Sequence, residues 1–195
     1  MTTPFDILRT YLESRATFTD QEVEFMRASF QPVTLRSGEF LQRAGEQAKY
    51  GTFVARGCLR SYTIDAKGKE HIVQFAPENW WLADAVSLMN KTPSQYFMDA
   101  IEDSDLMLID SESHQQVIEN VPGYAAAMRT GLQKHAAAKD QRIVHSLSAS
   151  AEERYLAFLQ MYPSIVLRVP QWMLASYLGV SPETLSRIRK DLSRK

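Results

Sequence analysis

The chain carries a single cysteine, Cys58, among its 195 residues. A lone thiol closes no internal disulfide, forms no CxxC redox pair and holds no zinc or iron–sulfur cluster by itself, so any metal would need histidines or carboxylates. Histidines are scarce too, four in all. His71 stands alone in a strand-like stretch, without the HxH pair of a cupin metal site, while His114, His135 and His145 fall on helical stretches without an i, i+4 partner and are expected at the surface. Neither a cofactor nor a metal is expected. No apolar run approaches the roughly 18 residues that cross a bilayer. Residues 1–12 mix Asp6 and Arg9 with apolar side chains instead of setting a basic region before an unbroken apolar one. A cytoplasmic chain with no membrane contact is the expectation. Also missing are a nucleophile elbow, a phosphate loop and a carboxylate pair placed for acid–base chemistry, so no enzyme is expected. Gly and Pro number 8 each, which leaves a folded globular chain of one large domain, or one medium and one small.

What the sequence does have is an uneven charge. Residues 164–195 hold six basic side chains against two acidic ones, whereas residues 1–163 hold 16 basic and 21 acidic. An acidic body with a basic tail is compatible with nucleic-acid binding and equally with a solvated helix face.

Periodicity divides the chain further. Phe5, Leu8 and Leu12 share a helix face, and Thr19 to Glu22 reads as a capping box opening a second helix. From residue 33 to about 110 the sequence turns to short runs of Val, Ile, Phe, Tyr and Thr broken by Gly-containing turns, the pattern of a compact β-roll or barrel, with a short helix near 83–89 after the Trp80-Trp81 pair. Helix resumes at 111–120. Pro122 then fits the first turn of a helix with no breaker until about Ser150. At 1.5 Å per residue it would exceed about 35 Å, more than is needed to cover the roll. Met128, Leu132, Ala136, Ile143 and Leu147 form a stripe along it, which fits a covering helix and a helix-to-helix dimer seam alike. A further amphipathic helix spans 151–162. The expected organisation is therefore α+β: a sensor-like roll at 1–121, a long helix at 122–149 and a helical unit at 150–195.

Residues 169–190 carry the most specific pattern, that of a helix-turn-helix. Ala175 is small where two helices would cross, Gly179 suits a left-handed turn, and Leu174, Leu178, Val180, Leu185 and Ile188 fill the space between helices. Ser181 caps the second helix, Pro182 fits its first turn and Glu183 meets its positive end. Glu183, Thr184, Ser186, Arg187, Arg189 and Lys190 remain outward, a polar and basic face suited to a major groove.

A β-roll, a long helix and a C-terminal helix-turn-helix in this order resemble the Crp/Fnr family of bacterial transcription regulators. Arg56-Gly57-Cys58-Leu59-Arg60 and Gly68-Lys69-Glu70-His71-Ile72-Val73 look like the family's strand–turn–strand, and Ser181 to Arg187 look like its recognition helix. The resemblance implies a jelly-roll-like sensor of cyclic-nucleotide-binding type, a homodimer, double-stranded DNA as partner, and RNA polymerase as a further candidate partner. It assigns base reading to Glu183 and Arg187, joined by Ser186. Ser181, Thr184, Arg189 and Lys190 are the expected phosphate contacts. The family's additional base-reading arginine falls at Pro182, and the winged-helix wing expected after the recognition helix is absent or truncated at Lys195.

The sensor departs from the cyclic-AMP-binding pattern. Where those members have a Gly-Glu pair and then an Arg before Ser or Thr, this chain reads Trp80-Trp81-Leu82-Ala83-Asp84 and Ser94-Gln95-Tyr96. A buried phosphate without a counter-charge is costly, so cyclic AMP is not the expected effector. Trp80, Trp81, Asp84 and Tyr96, with Arg60 as the nearest strand arginine, are the candidates for a pocket taking some other small-molecule effector; plain core packing is the alternative for the aromatic residues. The competing function is a dimeric sensor or scaffold whose helical tail binds protein rather than DNA.

Overall fold

In the computed structural model, which describes residues 2–193, two short helices open the chain, α1 (Pro4–Glu13) and α2 (Asp20–Ser29). The Thr19 N–H donates to Glu22 Oε2 at 2.7 Å and the Glu22 N–H donates to Thr19 Oγ1 at 3.3 Å. This is the expected capping box, and Thr3 with Asp6 builds a second one for α1. Eight strands follow: β1 (Gln31–Leu35), β2 (Phe40–Gln42), β3 (Tyr50–Arg56), β4 (Leu59–Ile64), β5 (Glu70–Ala76), β6 (Trp81–Leu82), β7 (Phe97–Ala100) and β8 (Ser104–Asp110). The short helix α3 (Ala85–Asn90) lies between β6 and β7, and α4 (Ser111–Asn120) follows β8. Then come α5 (Pro122–Ser148), α6 (Ala151–Met161), α7 (Gln171–Leu178) and α8 (Pro182–Leu192).

The strands form two four-stranded sheets, ordered β1-β8-β3-β6 and β2-β7-β4-β5. In the first, Thr52 of β3 pairs with Leu108 of β8 on one side and Leu82 of β6 on the other. Alternation along β3 buries this strand on both faces. Phe53 and Ala55 join Leu8, Leu12, Met26, Tyr124 and Met128 in a core shared with helices, while Val54 joins Leu59, Leu82, Met98 and Leu106 inside the roll. Each fully buried Leu, Val, Met or Phe among them contributes about 1.5–3 kcal/mol of hydrophobic stabilisation. Gly57, at φ +88°, turns the chain from β3 into β4; a Cβ there would lie 2.2 Å from Ser104 Oγ and 2.6 Å from the Asp103 carbonyl.

By internal contacts the chain forms two compact units, the residues up to Thr63 with Gln74–Leu132, and Ile64–Val73 with the chain from Gln133 onward. The β4–β5 hairpin tip thus groups with the helical C-terminal residues, and α5 contributes to both units. His114, expected at the surface, is half-buried with its ring edge-on to Tyr124 at a centroid distance of 5.6 Å, and burial lowers its pKa. The His135 side chain, and Arg194 and Lys195 of the basic tail, lie outside the described residues. No described helix is long and apolar enough to cross a membrane.

Candidate nucleic-acid interface

Helix α7 ends at Gly179, whose φ of +68° is the left-handed conformation expected of it. The Gly179 N–H donates to the Ser176 carbonyl at 3.1 Å and the Val180 N–H to the Ala175 carbonyl at 3.0 Å, a Schellman closure that satisfies two carbonyls at the helix end. Ser181 then caps α8 by accepting the Thr184 N–H at 3.2 Å, with Pro182 in the first turn. Ala175, Leu174, Leu178, Leu185 and Ile188 are buried, and Phe158, Tyr162 and Tyr177 pack ring against ring at 5.0 to 5.9 Å beside them.

This packing leaves one face of α8 in solvent. Glu183, Ser186, Arg187 and Lys190 are exposed at i, i+3, i+4 and i+7, whereas Thr184 and Arg189 are half-buried. Four of the sequence-derived contact residues therefore share a surface, and two sit at its margin. Hydrogen bonds from the Ser181 hydroxyl and from its own backbone N–H hold the Glu183 carboxyl below its ordinary pKa. The group is an anionic acceptor, suited to a base amino group.

The stripe on α5 divides. Met128 is turned inward, 9% exposed within the first unit's core, and leaves the proposed seam because it packs with Tyr124 inside its own chain. Leu132, Ile143 and Leu147 are 58%, 58% and 84% exposed, and Ala136 is exposed with them. At 100° per residue these four fall within about 60° of arc. Val144, also exposed at 57%, borders the stripe and was not singled out by the sequence pattern.

The candidate pocket residues of the roll are each engaged by other neighbours. Arg60 makes a buried two-pronged ion pair with Asp99, 2.7 and 2.9 Å long, and stacks over the Tyr62 ring at 4.2 Å. Asp84 is buried as the N-cap of α3, accepting the Ser87 N–H at 3.1 Å and the Ser94 hydroxyl at 2.7 Å. Trp81 packs among Phe53 and Phe30 at 5.4 and 6.2 Å, in the cluster shared with helices, while Trp80 and Tyr96 pack against the cluster inside the roll. The two tryptophans therefore point to different cores. A cavity of about 490 Å³ in the first unit is lined instead by residues including Leu41, Gln42, Tyr50, Thr52 and Met98.

Sequence reasoning also missed Ser176 and Arg142. Ser176 Oγ accepts the Ile72 N–H at 3.0 Å and donates to the Glu70 carbonyl at 2.9 Å, and Arg142 donates to the carbonyls of Ile72, Val73 and Tyr177. No local pattern announces partners some 70 or 100 residues away.

Against known proteins, residues 32–121 match the family model of the cyclic nucleotide-binding domain. No curated protein matches the sequence. Among solved structures the chain is similar to the c-di-GMP-responsive global regulator CLP of Xanthomonas campestris, at 15% identity and a TM-score of 0.71, covering 90% of this chain and 92% of that one. FixK2 from Bradyrhizobium japonicum follows the same path at 20% identity and 0.72, over 85% of each chain. A chain from Eubacterium rectale assigned to the Crp/Fnr family of transcriptional regulators does so at 16% identity and 0.67, over 90% of this chain and 84% of its own. The fold is that of the Crp/Fnr regulators, α+β with a cyclic-nucleotide-binding-type roll and a helical C-terminal region.

Proposed function

We propose that the chain is a non-enzymatic transcription regulator of Crp/Fnr type that binds specific double-stranded DNA as a homodimer. One observation carries the reading: α8 presents Glu183, Ser186, Arg187 and Lys190 on a single exposed face, held by an αL glycine turn and a capped first turn. Glu183 and Arg187, one turn apart, are the base readers, with Ser186 between them; Ser181, Thr184, Arg189 and Lys190 hold phosphates. The exposed stripe Leu132, Ala136, Ile143 and Leu147 supplies the two-fold seam that two heads need to reach half-sites about one helical turn apart.

Cyclic AMP is not the effector. Arg60, the nearest strand arginine, is ion-paired with Asp99, and Asp84 would set a carboxylate against an incoming phosphate. Breaking a buried ion pair to free that arginine would cost several kcal/mol. Fluorescence anisotropy with genomic fragments tests the DNA reading. Phosphate contacts give log K a slope near −0.9 per contact against log salt, whereas a protein-binding tail would show little salt dependence.

A further inference from the structure

A cavity of about 290 Å³ opens in the second unit among residues of the hairpin, α5, α6 and the end of α7. Two guanidiniums line it, those of Arg142 and Arg154. Arg142 donates to the carbonyls of Ile72, Val73 and Tyr177 and lies 3.9 Å over the Tyr177 ring. Arg154 donates to the carbonyls of Leu178 and Ala149, at 3.0 and 2.8 Å. These acceptors are neutral, so they orient the guanidiniums without cancelling their charge. Of the five N–H donors of each guanidinium, three are used in Arg142 and two in Arg154. His71 and His145 also line the cavity, and no carboxylate does. Two acids outside the lining reach its histidines: Asp65 holds His71 at 2.8 Å, and Glu153, which accepts the Ser150 N–H, interacts electrostatically with His145. The remaining wall is apolar, with Phe158, Met161 and Leu178.

A cavity that sets uncompensated, half-buried positive charge against an apolar wall matches a ligand with an anionic end and an apolar body. We propose that it binds a small amphipathic anion, the carboxylate or phosphate on the remaining N–H groups of Arg154 and Arg142 and the apolar part against Phe158, Met161 and Leu178. Such a ligand touches the elements that hold α8 and stabilises their arrangement by mass action. Binding is independent of the DNA reading; an effect on DNA affinity rests on it.

The test is thermal unfolding of the full chain with hexyl phosphate, hexanoate, hexanol and inorganic phosphate. A saturable rise in Tm is expected with hexyl phosphate, hexanoate or both, which separates the two head groups, and none with hexanol or inorganic phosphate. Arg154→Gln should raise the midpoint concentration about tenfold, the loss of a charge-assisted hydrogen bond. Ala157→Leu, which fills the cavity and leaves both guanidiniums, should abolish the shift and decides the matter if Arg154→Gln does not fold. No saturable shift with either charged amphiphile, an equal shift with hexanol, or midpoints unchanged in both variants would overturn the proposal. A saturable shift in a chain that fails to bind DNA would retain this site and remove the DNA reading instead.

Discussion

On α8, Arg187 lies one turn beyond Glu183 on the exposed face, and its guanidinium is long enough to pair two acceptors on a guanine edge. Such a contact is worth about 1–3 kcal/mol of discrimination. Arg187→Ala is therefore expected to level the affinities for operator and scrambled DNA while weak binding to both persists, as read by competition anisotropy; undiminished discrimination would remove Arg187 from the reading set. At the turn, Gly179→Ala meets no neighbour within 4 Å, so its cost is conformational alone. A side chain in the left-handed region costs about 1–2 kcal/mol, which calorimetric unfolding will register as a lower Tm. Asp65 offers a pH test. The His71 ring, and then the backbone N–H groups of Lys69 and Lys67, hold its carboxyl down to about 2 from an ordinary 3.8. A carboxyl depressed by folding stabilises the folded chain fully above its ordinary pKa and loses that contribution as pH falls toward the lower value. Amide exchange at Lys67 and Lys69 should accelerate across that interval in the native chain, whereas Asp65→Asn should show no such step.

Among the elements, α5 carries the proposed seam. Leu132→Asp or Ile143→Asp puts a charge on an exposed stripe without disturbing the core residues Tyr124 and Met128. Sedimentation should find these variants monomeric at micromolar concentration with poor operator binding, and a native chain that is monomeric at full operator affinity would refute the seam. The elements also show how far sequence alone reaches. The Thr19–Glu22 box, the proline start of α5, the Ser181 cap and the Gly179 turn were legible because each is a bargain between residues a few positions apart. The strand-rich stretch from 33 to about 110 was legible as a roll, yet which residues of β3 faced which core was not. Met128 follows the stripe's period and still turns inward because the first unit needs it against Tyr124. Arg60 with Asp99, Asp84 with Ser94 and Arg142 with the hairpin carbonyls join positions from 10 to 70 residues apart, and only the folded chain brings them together.

At the level of the whole chain, a roll whose strand arginine is already paired sits in the same molecule as a head with an open basic face. Cyclic AMP and cyclic GMP at millimolar concentration are expected to leave both Tm and operator affinity unchanged, whereas a ligand at 100 times its Kd would add about 2.7 kcal/mol. A saturable shift with either nucleotide would reverse that expectation, and Arg60→Ala would then show whether Arg60 had left Asp99 for the phosphate. The central proposal is sequence-specific recognition of duplex DNA. The measurement that bears on it most directly is the affinity of the native chain for fragments selected from genomic DNA, starting with the region around its own coding sequence, against scrambled duplexes of equal length and salt. A specific regulator should prefer a selected, two-fold-symmetric site by about a thousandfold or more; equal affinity for selected and scrambled DNA would contradict it.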